Sequence, residues 1–187
     1  MPPDVSLADV TISRLQKHAQ PLTDTFDTVI CRLLDHYEAS NIDSGKPGQP
    51  IGTKGTNMMV FDPTMPPQLK FTTCTHITVA GEKLPKQITY WNNLLIAVIE
   101  EVHKKGKDVQ TIHEMMHVAN SVVGKREDSG YKFIPSVGLS VQGAESNAAF
   151  KQAYLLATVN KVKFTVQFVW QTNERAAHPG RYGYLQT

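Results

Sequence analysis

KVKFTVQFVW, Lys161 to Trp170, is the most regularly alternating stretch of this chain. Val162, Phe164, Val166, Phe168 and Trp170 fall on one side of an extended backbone, with Lys161, Lys163 and Gln167 on the other. A period of two is the signature of a strand with one buried face. A face made of two valines and three large rings needs cover, and the flanking sequence offers it. Ala144 to Thr158 reads as a helix rich in Ala and Leu. Tyr90 to Lys105 reads as another, with Trp91, Leu94, Leu95, Val98, Ile99 and Val102 on one side. LKFTTCTHITVA, Leu69 to Ala80, has the β-branched content of a strand that turns at Gly81. Val109 to Val123 reads as a helix stopped by Gly124, Lys125 to Gly130 as a charged turn, and Tyr131 to Val141 as a strand. The tail AAHPGRYGYLQT shows no period. Residues 58–187 are therefore expected to form an α+β domain with a small, mainly antiparallel sheet.

The 187 residues, 41% apolar and 19% charged, suit one medium domain, or a small module joined to a domain of about 130 residues. The strongest apolar helical run, Leu94 to Ile99, is far too short to span a bilayer. No basic region followed by an apolar one opens the chain, so no secretory signal is expected. Cys31 and Cys74 match no metal or redox spacing. These features point to a reduced, cytoplasmic setting with no membrane partner.

Upstream, PLTDTFDTVICRLL (Pro21 to Leu34) reads as a second amphipathic helix behind one near Asp9 to Gln20. Asp24 or Thr25 would cap it, Asp27 favours the dipole of its first turn, and Val29, Ile30, Leu33 and Leu34 make one apolar stripe. So short a segment cannot bury that stripe alone, which marks a dimer seam. Ala39 to Asn57 turns rich in Gly, Pro, Ser and Asn and reads as a flexible linker. The expected organisation is a helical dimerisation module over 1–38, a linker over 39–57 and the α+β domain over 58–187. Charge follows the same division. Residues 1–57 carry five basic and seven acidic side chains, whereas residues 58–187 carry 14 basic and 10 acidic ones. Any contact with nucleic acid belongs to the second half.

The loudest chemical motif is His113-Glu114-Met115-Met116-His117, an H-E-x-x-H match. On a helix, residues four apart share a face, so both imidazoles would bind one zinc ion with Glu114 as general base. A third ligand is needed. No His follows at the short spacing, and Glu145 is the reasonable candidate. Without zinc, the same segment is a helix with two partly exposed His residues. Ser140 to Asn147 joins a strand to a helix start, where free amides suit an anion or are simply capped by Glu145 and Ser146. In the tail, Arg175, His178, Arg181, Tyr182 and Tyr184 interleave cations with aromatics, a composition that grips phosphates and stacks on bases. There is no P-loop, GxGxxG or GxSxG, and Glu100 to Lys104 falls on a helix rather than on the strand that a PD-(D/E)xK nuclease requires.

VSLADVTISRLQKHAQPLTDTFDTVICRLL, from Val5 to Leu34, resembles the N-terminal module of SeqA-type modulators of replication initiation. Related ribbon-helix-helix modules show the same order: a β-leaning start, a helix, a turn, a capped second helix and an Arg-Leu-Leu close. The resemblance covers about a fifth of the chain. It implies that the module dimerises while a separate domain across a linker binds DNA, in a nucleoid setting. Residues 58–187 do not match that family's DNA-binding domain and look instead like an uncharacterised bacterial domain. The leading expectation is thus a cofactor-free, homodimeric DNA-binding protein acting in regulation of DNA transactions or in a restriction or phage-defence system. Lys161, Lys163, Arg175, Arg181 and Tyr182 would contact the nucleic acid. The alternatives are a zinc-dependent hydrolase using His113, His117, Glu145 and Glu114, and a protein-interaction adaptor.

Overall fold

A computed structural model describes residues 58–187 throughout, the strand Pro50–Thr53, and three single helical positions, Asp9, Ile12 and Ile30. The chain divides into two units, Met1–Gly45 and Lys46–Thr187. In the first, Ile30 is half-buried in a helix. Val29, Leu33 and Leu34, the rest of the expected dimer seam, lie outside the described residues. Of the stretch expected to be linker, Pro50–Thr53 (β1) is a strand paired with Met58–Phe61 (β2).

In the second unit the alternating stretch forms Phe164–Trp170 (β8), in which every second side chain is buried. Beside it run Thr72–Val79 (β3) and Tyr182–Gln186 (β9), both antiparallel to it. With the two-residue Glu82–Lys83 (β4), the strands make a six-stranded sheet in the order β1-β2-β9-β8-β3-β4. The β2–β9 pair is parallel, and the others are antiparallel. Cross-strand partners share a face. Cys74, Ile77 and Val79 therefore meet Phe168, Val166 and Phe164 on the core side.

Two helices cover that side. Trp91–Lys104 (α1) buries the six apolar side chains that its sequence spacing had grouped, each contributing about 2 kcal/mol of transfer free energy. It ends where Gly106 takes φ +93°, a conformation glycine adopts without steric cost. Ser146–Val159 (α3) buries Ala149, Ala153 and Ala157 beside Phe150 and Leu156, and these small residues let it lie close against α1. The rings interlock edge to face: Trp91 with Phe168 at 5.3 Å and with Phe150 at 5.8 Å, and Phe168 with Trp170 at 4.8 Å. Both indole N–H groups are satisfied, Trp91 donating to Thr72 Oγ1 at 2.8 Å and Trp170 to the Gln68 carbonyl at 3.0 Å.

Three expectations are corrected. The helix expected over 109–123 is only Val109–Glu114 (α2), and Ser121–Val123 is a strand (β5). The single strand expected over 131–141 is a hairpin of Tyr131–Ile134 (β6) and Leu139–Gln142 (β7), turning at Pro135 to Gly138 with Gly138 at φ +78°. Together they form a second sheet, ordered β5-β7-β6. The tail, expected to be irregular, supplies β9. Among the described residues no helix is long and apolar enough to cross a membrane.

Cys74 lies on the core side of β3, and burial pushes its thiol up from 9.0 to about 12. The unfolded chain releases this proton near its ordinary value and the native chain holds it. The stabilisation from the protonated thiol is therefore full below about pH 9 and is lost as pH rises toward 12. In a Cys31→Ser chain, Cys74 should react with an aromatic disulfide reagent at pH 8 only as fast as the protein unfolds. An immediate stoichiometric reaction of native protein would contradict the burial.

Candidate nucleic-acid interface

The C-terminal ends of α1 and α3 finish side by side at the end of the domain where β8 begins. Lys105 Nζ ties them together, donating to the carbonyls of Lys161 at 2.8 Å and Asn160 at 3.3 Å. Free carbonyls at a helix end favour a cation for the same reason. A depression of about 430 Å³ lies here, lined by Lys105, Lys107, Val159, Asn160 and Lys161. Lys163, two residues further on, lines another depression of about 450 Å³, with Thr78, Gly81, Phe164, Thr165, Gln186 and Thr187. No acidic side chain lines either hollow. The nearest one in sequence, Asp108, is turned to α2, whose first turn it caps through Thr111 N at 2.9 Å and Thr111 Oγ1 at 2.6 Å. Those two bonds hold its carboxyl below the ordinary range.

Lys161 and Lys163 stand at this end of the domain with Lys105 and Lys107, two lysines not among the expected site residues. The run Lys104-Lys105-Gly106-Lys107 was the available signal. Lys104 pairs with Glu101 at 3.6 Å, whereas Lys107, Lys161 and Lys163 have no ionic partner among the described residues. Arg175 and Arg181 do not join them. Arg181 O accepts from Trp170 N at 3.0 Å, at the far end of β8. Six residue steps of strand separate Phe164 from Trp170, roughly 20 Å. Tyr182 is there too, 45% exposed. The five side chains expected to act together therefore split between the two ends of β8, the lysines at one and Arg181 and Tyr182 at the other. His178 packs against Trp170 and Phe61, with ring centroids at 4.8 and 5.6 Å.

The H-E-x-x-H segment is not one continuous helix. α2 ends at Glu114, with Met115 as its C-cap. His117 falls beyond the helix and is exposed. His113 Nδ1 is hydrogen-bonded to Ser121 Oγ at 2.8 Å, and Glu114 accepts from Gln110 at 3.1 Å. Glu145 caps α3, accepting from Ala148 N at 3.0 Å and Asn147 Nδ2 at 2.9 Å. Among the described residues no three His, Cys, Asp or Glu side chains converge on a common point. The Glu145 carboxylate also fills the place an anion would take at that helix start. Arg126 is likewise engaged, bonded to Asp128 at 2.9 Å and lying over the Tyr131 ring at 4.3 Å.

No family model, curated protein or solved structure matches the chain.

Proposed function

We propose that the 46–187 unit binds duplex DNA through its lysine-rich end, and that residues 4–38 pair two chains so that two such domains act together. The observation that carries this is the depression lined by Lys105, Lys107 and Lys161, with Lys163 lining another and no acidic side chain in either lining. Ammonium groups displace counterions from the phosphate backbone whatever the sequence, which yields a salt-dependent and weakly selective grip. Tethering two weak modules raises the second contact's effective concentration and multiplies affinity without any new contact. Regulation of DNA transactions, or a restriction or phage-defence system, is the setting implied by the SeqA-type resemblance of the N-terminal residues.

The test is a chain with Lys107→Ala, Lys161→Ala and Lys163→Ala, titrated with labelled duplex at several salt concentrations. Affinity at low salt should fall tenfold or more. The slope of log K against log salt should flatten by about 0.9 for each phosphate contact removed. An Arg175→Ala, Arg181→Ala chain, altered at the other end of the sheet, should keep most of both. Unchanged binding by the triple variant would sink the proposed interface. A chain that sediments as a monomer at micromolar concentration would remove the pairing through Val29, Ile30, Leu33 and Leu34.

A further inference from the structure

The long sheet ends at an open edge. β8 pairs with β3 along Thr72 to Val79, but on the other side β4 meets β3 only at Thr78 and Val79. Leu84 N extends that contact by one bond, to Ile77 O at 2.9 Å. On the β8 side, Gln171 N donates to Phe71 O at 2.8 Å. Positions bonded to one neighbour alternate with positions facing the other. Phe71 and Thr73 therefore address β8, and the amides and carbonyls of Thr72 and Cys74 address the open side. Alongside lies a hollow of about 450 Å³ lined by Thr73 to His76, Lys83, Leu84, Lys86, Thr89 and Tyr90.

We infer that this edge accepts an extended segment of a partner protein that carries acidic side chains alternating with aliphatic ones. An added strand satisfies the unpaired main-chain groups, and its alternate side chains face the two sides of the sheet. The hollow offers one set an apolar seat: Leu84 is buried beneath it, and the Tyr90 ring is 61% exposed. To the other set it offers Lys83 and Lys86, and no acidic side chain lines it. Glu82 does not line this hollow; it lines the neighbouring one, with Glu100, Glu101 and Lys83 itself, so Lys86 is the cation that only this hollow holds. The same charges argue against a second copy as occupant, because edge-to-edge pairing of two chains would set lysine against lysine. Lysine at an edge is a usual guard against self-pairing, and here it also selects the sign of a partner.

The probe is a capped seven-residue peptide of alternating valine and glutamate, titrated into the full chain by calorimetry. Saturable one-to-one binding is expected, weakened tenfold or more in a Lys83→Glu, Lys86→Glu chain. N-methylation of one alternate set of peptide amides should abolish binding, and methylation of the other set should spare it. That contrast leaves the protein unaltered, so it stands even if the double variant folds poorly. Three results would overturn the inference: no saturable binding at millimolar peptide, binding indifferent to both methylation patterns, or self-association that the double charge reversal strengthens.

Discussion

A Gly183→Val chain should melt on the order of 10 °C below the parent, with Gly183→Ala between them. Gly183 sits in β9, opposite Phe168 of β8. A Cβ there would lie 2.4 Å from Phe168 Cζ, 2.6 Å from Cε2 and 3.0 Å from Trp170 Cζ3. Neither ring is free to give way. Phe168 is wholly buried and Trp170 is 1% exposed. Phe168 is wedged between Trp91 and Trp170, and Trp170 is pinned through its N–H to Gln68. Overpacking a rigid core costs about 1–3 kcal/mol and sometimes more. Valine adds two further methyl groups to the clash, so about 3 kcal/mol is the expected loss. In a unit of this size each kcal/mol moves the midpoint by roughly 3–5 °C. Gly81→Ala is the control: its φ of +88° disfavours alanine, but a Cβ there meets nothing within 4 Å, and the loss should stay near 1 kcal/mol. Circular dichroism melts of the three chains settle the order. A Gly183→Val chain as stable as the parent would mean that the rings are not held as described.

Gly183 also explains why β9 was illegible in the sequence. The alternation of a half-buried strand shows only where the strand carries its own apolar side chains. In RYGYLQ the inward position opposite Phe168 holds no side chain, because the ring of the neighbouring strand occupies its space. β8, α1 and α3 could be read because each buries a stripe that it supplies itself. The hairpin of β6 and β7 was written in Pro135 and Gly138, which serve a turn rather than interrupt a strand. The site was legible in part for the same kind of reason. Lys161 and Lys163 are neighbours in sequence and stay neighbours in space. Arg175 and Arg181 seemed to belong with them only while the tail lacked a structure. Once β9 returns antiparallel along β8, they must lie at the other end.

Replacing Gln152 with leucine should cost about 2–4 kcal/mol and speed hydrogen exchange at Val118 and Ala119. Gln152 is fully buried on α3. Its Oε1 accepts from Val118 N at 2.7 Å and from Ala119 N at 3.4 Å, while its Nε2 donates to Met115 O at 3.0 Å. Were α2 to continue, Val118 N would donate to Glu114 O, and Met115 O would accept from Ala119 N. One side-chain amide thus takes both the donor and the acceptor that the next helical turn requires. Thirty-four residues separate it from Val118, so no local pattern reveals it. This is why the run from Val109 to Val123 stops being a helix at Glu114, leaving His117 outside it and Ser121–Val123 free to pair with β7. Leucine fills a similar volume but strands a donor and an acceptor away from water, at about 1–3 kcal/mol for each unsatisfied group. Gln152→Glu separates the two halves of the interaction: a carboxylate still accepts from Val118 N but cannot donate to Met115 O, and it adds a buried charge. It should therefore destabilise at neutral pH and recover as acid protonates it. If Gln152→Leu left both stability and exchange at Val118 unchanged, the amide could not be what terminates α2. The helical reading of His113 and His117, with the metal pair it would create, would then be open again.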